Sequence, residues 1–195
     1  LAGDNPPEFL LTHPVTSSRV SDALNAADQI EFSGGKKNTI NFEFVKGRLK
    51  ARYASSSPQA SIRFFEQLSV DSPNNENKYA YLMALQATGN SEKALLIVNQ
   101  LLGRYPKNLI LNITKAEIYL LDQKLEKAKL QIEAVLKISP GNYPASIIKS
   151  NILSAQNKTI QAEEIVRELL ITKNNDPHLW MLLSEIQRSG KNILG

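Results

Sequence analysis

The chain has 195 residues, no cysteine, two histidines and a net charge of +4 at neutral pH, with 42% hydrophobic residues. That length supports a sizeable core, and the lack of thiols excludes disulfides, thiolate zinc sites and cysteine nucleophiles. No apolar run approaches the roughly 20 residues of a membrane-spanning helix, and nucleic-acid binding would want a larger clustered basic face with stacking aromatics.

The chain opens on "LAGDNPPEFLLTHPVTSSRV". Position 1 is not Met, and the stretch lacks the basic and apolar regions of a signal peptide, so a trimmed piece of a longer protein is expected. Pro6, Pro7 and Pro14 prevent a continuous helix. Thr16, Ser17 and Ser18 can cap a short helix that follows, with Val20, Leu24 and Ala27 along one apolar edge. "FSGGKKN" then reads as a joint at Gly34-Gly35, since it lacks the spacing of a phosphate-binding loop. Beyond it Lys36, Lys37, Lys46, Arg48, Lys50 and Arg52 are opposed nearby only by Glu43. This run is a solvated helix face, or a contact for an acidic partner or phosphate.

From residue 41 the chain repeats itself. Ala60, Ala94, Ala128 and Ala162 stand 34 residues apart. Four residues after each come Phe64, Val98, Ile132 and Val166, and eight after each come Leu68, Leu102, Leu136 and Leu170. A small residue, a large apolar one and a leucine at this spacing form one stripe of a helix. Pro106 and Pro140 share a register that ends helices; Pro73 is displaced by one position, and Asn174 replaces the next proline. Polar turns at "ASSSP", "TGNSE", "DQKLE" and "QNKTI" divide each unit into helix A and helix B. The units fall at about 41–74, 75–108, 109–142 and 143–176. A partial fifth occupies 177–195, where Asp176 can cap, Pro177 suits the first turn, and Trp180 and Leu183 face inward. Its helix A has no helix B after it, so a further helix, or a second copy, is expected to cover that end.

A 34-residue helix–turn–helix unit with alanine late in the unit and proline at its end resembles the tetratricopeptide repeat. The resemblance covers residues 41–195 and implies an all-α solenoid preceded by a short helical linker segment at residues 1–40. Departures occur in helix A. The family's small residue is Ala116, Ser150 and Ser184 in the later units, but Arg48 and Leu82 in the first two. In this family helix A lines the ligand-binding groove. The resemblance places Val45, Leu49 and Tyr53 there from the first unit, and Tyr79, Met83 and Gln86 from the second. It adds Ile113, Glu117 and Leu120 from the third, and Ile147, Asn151 and Ser154 from the fourth. Such a face suits an extended or unfolded apolar polypeptide. Leu49, Met83 and Ile113 have an equally good alternative, as packing between neighbouring helices.

No catalytic constellation accompanies the repeat: there is no H-E-x-x-H, phosphate-binding loop or G-x-S-x-G. Glu163-Glu164 sits early in a helix B, where carboxylates suit the helix dipole. The opening segment resembles something more specific. Pro7, Phe9, Leu10, Thr12, His13, Pro14, Arg19 and Val20 match the stretch that follows the catalytic domain in gluzincin peptidases of the HtpX and CAAX-protease type. One branch of that family carries a tetratricopeptide array after this stretch. The resemblance implies a parent zinc metalloprotease of the bacterial periplasm, acting in quality control and assembly of outer-membrane barrel proteins. It implies that this chain is the non-catalytic interaction region, without a cofactor of its own. Its expected partners are unfolded or assembling outer-membrane proteins, the barrel-assembly machinery and its own catalytic domain, with no nucleic acid and no membrane insertion. His13 would at most neighbour the zinc site of the full protein. The alternative is a free-standing scaffold that binds a helix or peptide of a dedicated partner.

Overall fold

The computed structural model describes Ser21, Asn25 and residues 39–53 and 57–193. The expected linker helix, the glycine joint and His13 lie outside the described residues. The chain divides into two units, Leu1–Lys37 and Asn38–Gly195. The second contains nine α-helices among its described residues: α1 (Ile40–Tyr53), α2 (Pro58–Asp71), α3 (Asn75–Ala87), α4 (Ser91–Arg104), α5 (Leu109–Leu121), α6 (Leu125–Ile138), α7 (Tyr143–Ala155), α8 (Thr159–Thr172) and α9 (Pro177–Ile193).

The 34-residue period is written into the helix ends. Asn74, Asn108 and Asn142 stand at equal spacing before α3, α5 and α7. Each side-chain oxygen accepts from the backbone N–H three residues on, at 2.8, 3.1 and 3.1 Å. Asp176 takes the same place before α9 and accepts from the His178 N–H at 3.0 Å. These caps satisfy amides that the first helical turn leaves open. The turns from A to B repeat as well. Gly89, Gln123 and Asn157 all have positive φ, at 72°, 55° and 60°. The next residue's N–H donates back across the turn to Leu85, Tyr119 and Leu153 at 2.9, 2.8 and 2.9 Å. This closure uses a left-handed residue to satisfy the last carbonyls of the helix.

Three apolar clusters run along the array. The first joins α1 to α5 around Phe44, Phe65, Tyr79, Leu82 and Leu101; the second joins α5, α6 and α7 around Ala116, Ile132 and Ile152; the third fills the space between α7, α8 and α9 around Val166, Leu179 and Ile186. Ala94, Ala128 and Ala162 are fully buried, as are Val98, Ile132 and Val166. The leucine position is shared with the residue before it: Leu101 and Val135 are buried while Leu102 and Leu136 are half-buried.

The first unit departs from the expected register. Ala60 is exposed and Phe64 is 56% exposed, whereas Ser61 and Phe65 are buried. The equivalent spacing between the first two units is 33, from Ser61 to Ala94 and Phe65 to Val98, and it agrees with the displaced proline, Pro73 to Pro106. In helix A the same shift relates Phe44, Gly47 and Ala51 to Asn77, Ala80 and Ala84. Gly47 is thus equivalent to Ala80, and the small residue on which α1 approaches α3 lies one position before Arg48, where the repeat pattern expects one. An ideal Cβ at Gly47 would lie 2.5 Å from the Glu76 carbonyl oxygen, so only glycine permits this approach of α1 to α3. Trp180 also differs from expectation. It is 53% exposed, and its indole N–H donates to the Asn174 carbonyl at 2.7 Å, while Leu179 and Leu183 take the inward positions.

Candidate functional site

The residues expected to line one groove are distributed among three environments. Tyr79 is fully buried, with its ring 5.1 Å from Phe44, and Ile113 is buried in the second cluster. Neither presents a side chain to a ligand, because α1 lies over α3 and because α7 packs on α5. Met83, Leu120 and Ile147 are half-buried and pack against the first, second and third clusters respectively. Asn151 and Ser154 line a shallow depression between α7 and α9.

Tyr79, Gln86 and Glu117 are brought together by Arg48, which the sequence marks as a departure from the repeat and as part of the basic run but not as a groove residue. Arg48 reaches from α1 and donates through Nη2 to the Tyr79 hydroxyl at 3.2 Å, Thr114 Oγ1 at 3.4 Å and Glu117 Oε2 at 3.4 Å. The Tyr79 and Thr114 hydroxyls are bonded at 2.7 Å, and Gln86 donates to Glu117 at 3.2 Å. Burial works against the Arg48 charge, but Tyr79 and Glu117 outweigh it and raise the pKa further. Burial also raises the Tyr79 pKa, so the phenol stays neutral. The signal for Arg48 was its place where the repeat pattern has a small residue.

The other cations of α1 are spent in the same way. Glu76 of α3 binds both Lys46, at 2.9 Å, and Lys50. Burial opposes ionisation of Glu76, yet the hydrogen bonds and charges of the two lysines lower its pKa overall. Asn75 donates to Glu43 at 2.9 Å, and Asn108, the cap of α5, donates to Asn41 at 2.7 Å. Thus Lys46, Arg48 and Lys50 are neither a free solvated face nor a patch awaiting an acidic partner. They fasten α1 to α3 and α5. Arg52 has no carboxylate partner among the described residues, and it lines a cavity of about 360 Å³ with Arg48, Ala51 and Met83.

With the Phe44, Gly47 and Ala51 face of α1 seated on the array, the opposite face is outward, and Lys46 stands beside it with its ammonium 5.8 Å from the Phe42 ring centroid. Val45, Leu49 and Tyr53 lie on this outward face, as does Phe42, which the helix-A alignment left out. Positions 42, 45, 49 and 53 recur at helical spacing and form one stripe. All four are large, apolar and about half exposed or more. Contiguous exposed apolar surface of this kind marks interaction sites. The stripe is the candidate site: a rigid helix face, set on the repeat by charge pairs and one glycine contact.

Residues 119–186, from the end of α5 through most of α9, match the family model of the tetratricopeptide repeat. The array is an all-α helical-repeat solenoid, and this part of it is tetratricopeptide-like. Solenoids of this kind are protein-interaction modules. The chain resembles the beta-barrel assembly-enhancing protease of Yersinia pestis, at 24% identity over 185 residues, which is 92% of this chain and 37% of that protein. The Escherichia coli (strain K12) protein of the same name is 25% identical over 194 residues, 96% of this chain and 38% of that protein. The Shigella flexneri protein matches equally. The chain therefore spans less than two-fifths of the length of these curated relatives. Among the described residues no three His, Cys, Asp or Glu side chains are grouped so as to hold a metal ion. No helix among them is long and apolar enough to cross a membrane.

Proposed function

We propose that this chain is the interaction region of a periplasmic zinc metalloprotease, and that the outward stripe of α1 engages unfolded or assembling outer-membrane barrel proteins or the machinery that assembles them. The observation that carries the reading is the stripe itself, Phe42, Val45, Leu49 and Tyr53, on a chain that aligns along nearly its whole length with proteins named for enhancing beta-barrel assembly. An extended chain of a barrel protein offers alternating apolar side chains, and a rigid apolar helix face binds such side chains without requiring one sequence. Zinc and the proteolytic step belong, in this reading, to a catalytic domain elsewhere in the full protein. The repeat region's part is to hold a client near it.

The test is a titration of a fluorescently labelled barrel protein, kept unfolded in dilute urea, with the wild-type chain and with Val45→Asp/Leu49→Asp. Both side chains are outward, so the helical circular dichroism should be unchanged. Binding should weaken at least about ten-fold, the loss of two exposed apolar contacts. Equal affinity for both chains would contradict the reading.

A further inference from the structure

The A helices α3, α5 and α7 each carry a helix B, namely α4, α6 and α8. The repeat identifies the face that receives it. Ala116 of α5 and Ser150 of α7 hold the same position in their units, and both are fully buried. The Ser150 hydroxyl donates to the Ala162 carbonyl of α8 at 3.1 Å. Four residues before Ala116, Asn112 accepts from Gln131 of α6 at 2.6 Å. In α9 these two positions are Ser184 and Trp180. Ser184 is exposed, Trp180 is 53% exposed and Met181 beside it 63%. α9 packs on α8 through Leu179, Leu183 and Ile186, and this other face is left open. The chain does not turn back over it. α3, α5 and α7 end at Ala87, Leu121 and Ala155, and the left-handed residue two positions on leads into helix B. The equivalent places in α9 are Ser189 and Lys191, yet α9 continues as helix to Ile193. Gly190 lets this extra turn lie against α8, since a Cβ there would stand 2.6 Å from Thr159 Cγ2.

We propose that the Trp180–Ser184 face of α9 is a second docking site, which takes an amphipathic helix of another polypeptide in the seat that α4, α6 and α8 fill in their own units. The interface continues the one between α5 and α6 and between α7 and α8, and the helices already seated define the chemistry of the partner. Each carries alanine with a β-branched residue four positions on: Ala94 and Val98, Ala128 and Ile132, Ala162 and Val166, all fully buried. The alanine lets the helices cross closely at the small residue of helix A, and the larger side chain fills the space beside it. Trp180 stands where Asn112 meets Gln131, so the partner needs an apolar side chain there, three residues after its alanine. α8 has Ile165 at that place. A second copy of this chain offers no spare helix of this pattern, because its own α4, α6 and α8 are committed to α3, α5 and α7. The site lies in the last unit and does not rest on the α1 stripe.

Trp180 is the chain's one tryptophan, so its fluorescence reports on this face alone. The experiment titrates the full chain with a tryptophan-free peptide of the α8 sequence, residues 158–173. A lactam between positions 163 and 167, the exposed ion pair of α8, holds the peptide helical and removes most of the ordering cost of so short a helix. Trp180 emission should move to shorter wavelength and saturate. A peptide with Ala162→Leu, which cannot cross closely, should bind at least about ten-fold more weakly. Ser184→Leu in the chain should weaken the original peptide by as much, with helical circular dichroism unchanged because position 184 is exposed. No shift with the original peptide, or equal binding of both peptides, would overturn the proposal. So would a blue shift that grows with chain concentration in the absence of peptide, since a second copy would then cover the face. If Ser184→Leu fails to fold, the comparison of the two peptides on the wild-type chain decides.

Discussion

Gly47 and Glu76 are the two residues on which the seating of α1 turns. Any side chain at position 47 must push α1 away from the α3 backbone, since the nearest atoms to its Cβ are the Glu76 carbonyl oxygen and the Ala80 nitrogen. Gly47→Ala should therefore destabilise by about 1–3 kcal/mol, as overpacking does, despite alanine's better helix propensity. A urea denaturation midpoint at or above that of the wild type would show that α1 does not approach α3 so closely. Glu76 makes the same contact sensitive to acid. Its folded pKa is lowered below the ordinary value of 4.5 by Lys50 and Lys46. A lowered carboxylate contributes stability that is present above its unfolded pKa and lost as pH falls through the folded one. The contact should weaken below about pH 4.5, and Glu76→Gln should lose less stability than the wild type between pH 5 and pH 3. Parallel loss in both proteins, measured by urea denaturation at each pH, would place the acid sensitivity elsewhere. Neither role was legible in the sequence. The repeat register places the small residue of the first unit at Arg48, so Gly47 drew no notice, and the partners of the basic run lie on α3 and α5, about 30 and 70 residues away along the chain.

At the scale of the element, helices and turns follow from local chemistry, and here the sequence was most informative. Proline at helix ends, polar turns and alanines at a fixed period all act within one unit, so they can be read without the fold. The asparagines at 74, 108 and 142 carry the same period and cap three A helices. Asn108→Ala removes both the cap and the bond to Asn41, and should cost about 1 kcal/mol or somewhat more. The A-to-B turns give a prediction of opposite sign. Gln123 occupies a left-handed position that glycine fills at 89. Gln123→Gly should raise stability by about 1 kcal/mol, because the side chain's clash with its own carbonyl is removed. A thermal midpoint lower than wild type would show that Gln123 makes a compensating contact. The exposed Trp180 shows where the element scale fails: its place in the pattern is that of an inward aromatic, but Leu179 and Leu183 fill the core beside α8, and the indole turns to the Asn174 carbonyl.

For the whole array, the later units conform to the repeat and the first does not. α1 and α2 both pack on α3, whereas α3–α4, α5–α6 and α7–α8 pair as helix A with helix B. The 33-residue spacing from Pro73 to Pro106 was the visible trace of this, but the seating of α1 depends on partners in two other units and has no local signature. It moves the candidate site: the expected groove residues Tyr79 and Ile113 become core, and Val45, Leu49 and Tyr53 become the free surface, joined by Phe42. Because the chain has no cysteine, thiol accessibility tests this arrangement without background labelling. The direct measurement is the rate of modification of single-cysteine variants Leu49→Cys and Phe44→Cys, alone and with an unfolded barrel protein added. The account predicts that Leu49→Cys reacts at close to the rate of a free thiol and is protected by the added protein, while Phe44→Cys is slow under both conditions. Equal rates at the two positions, or no protection of Leu49→Cys by a bound client, would contradict it.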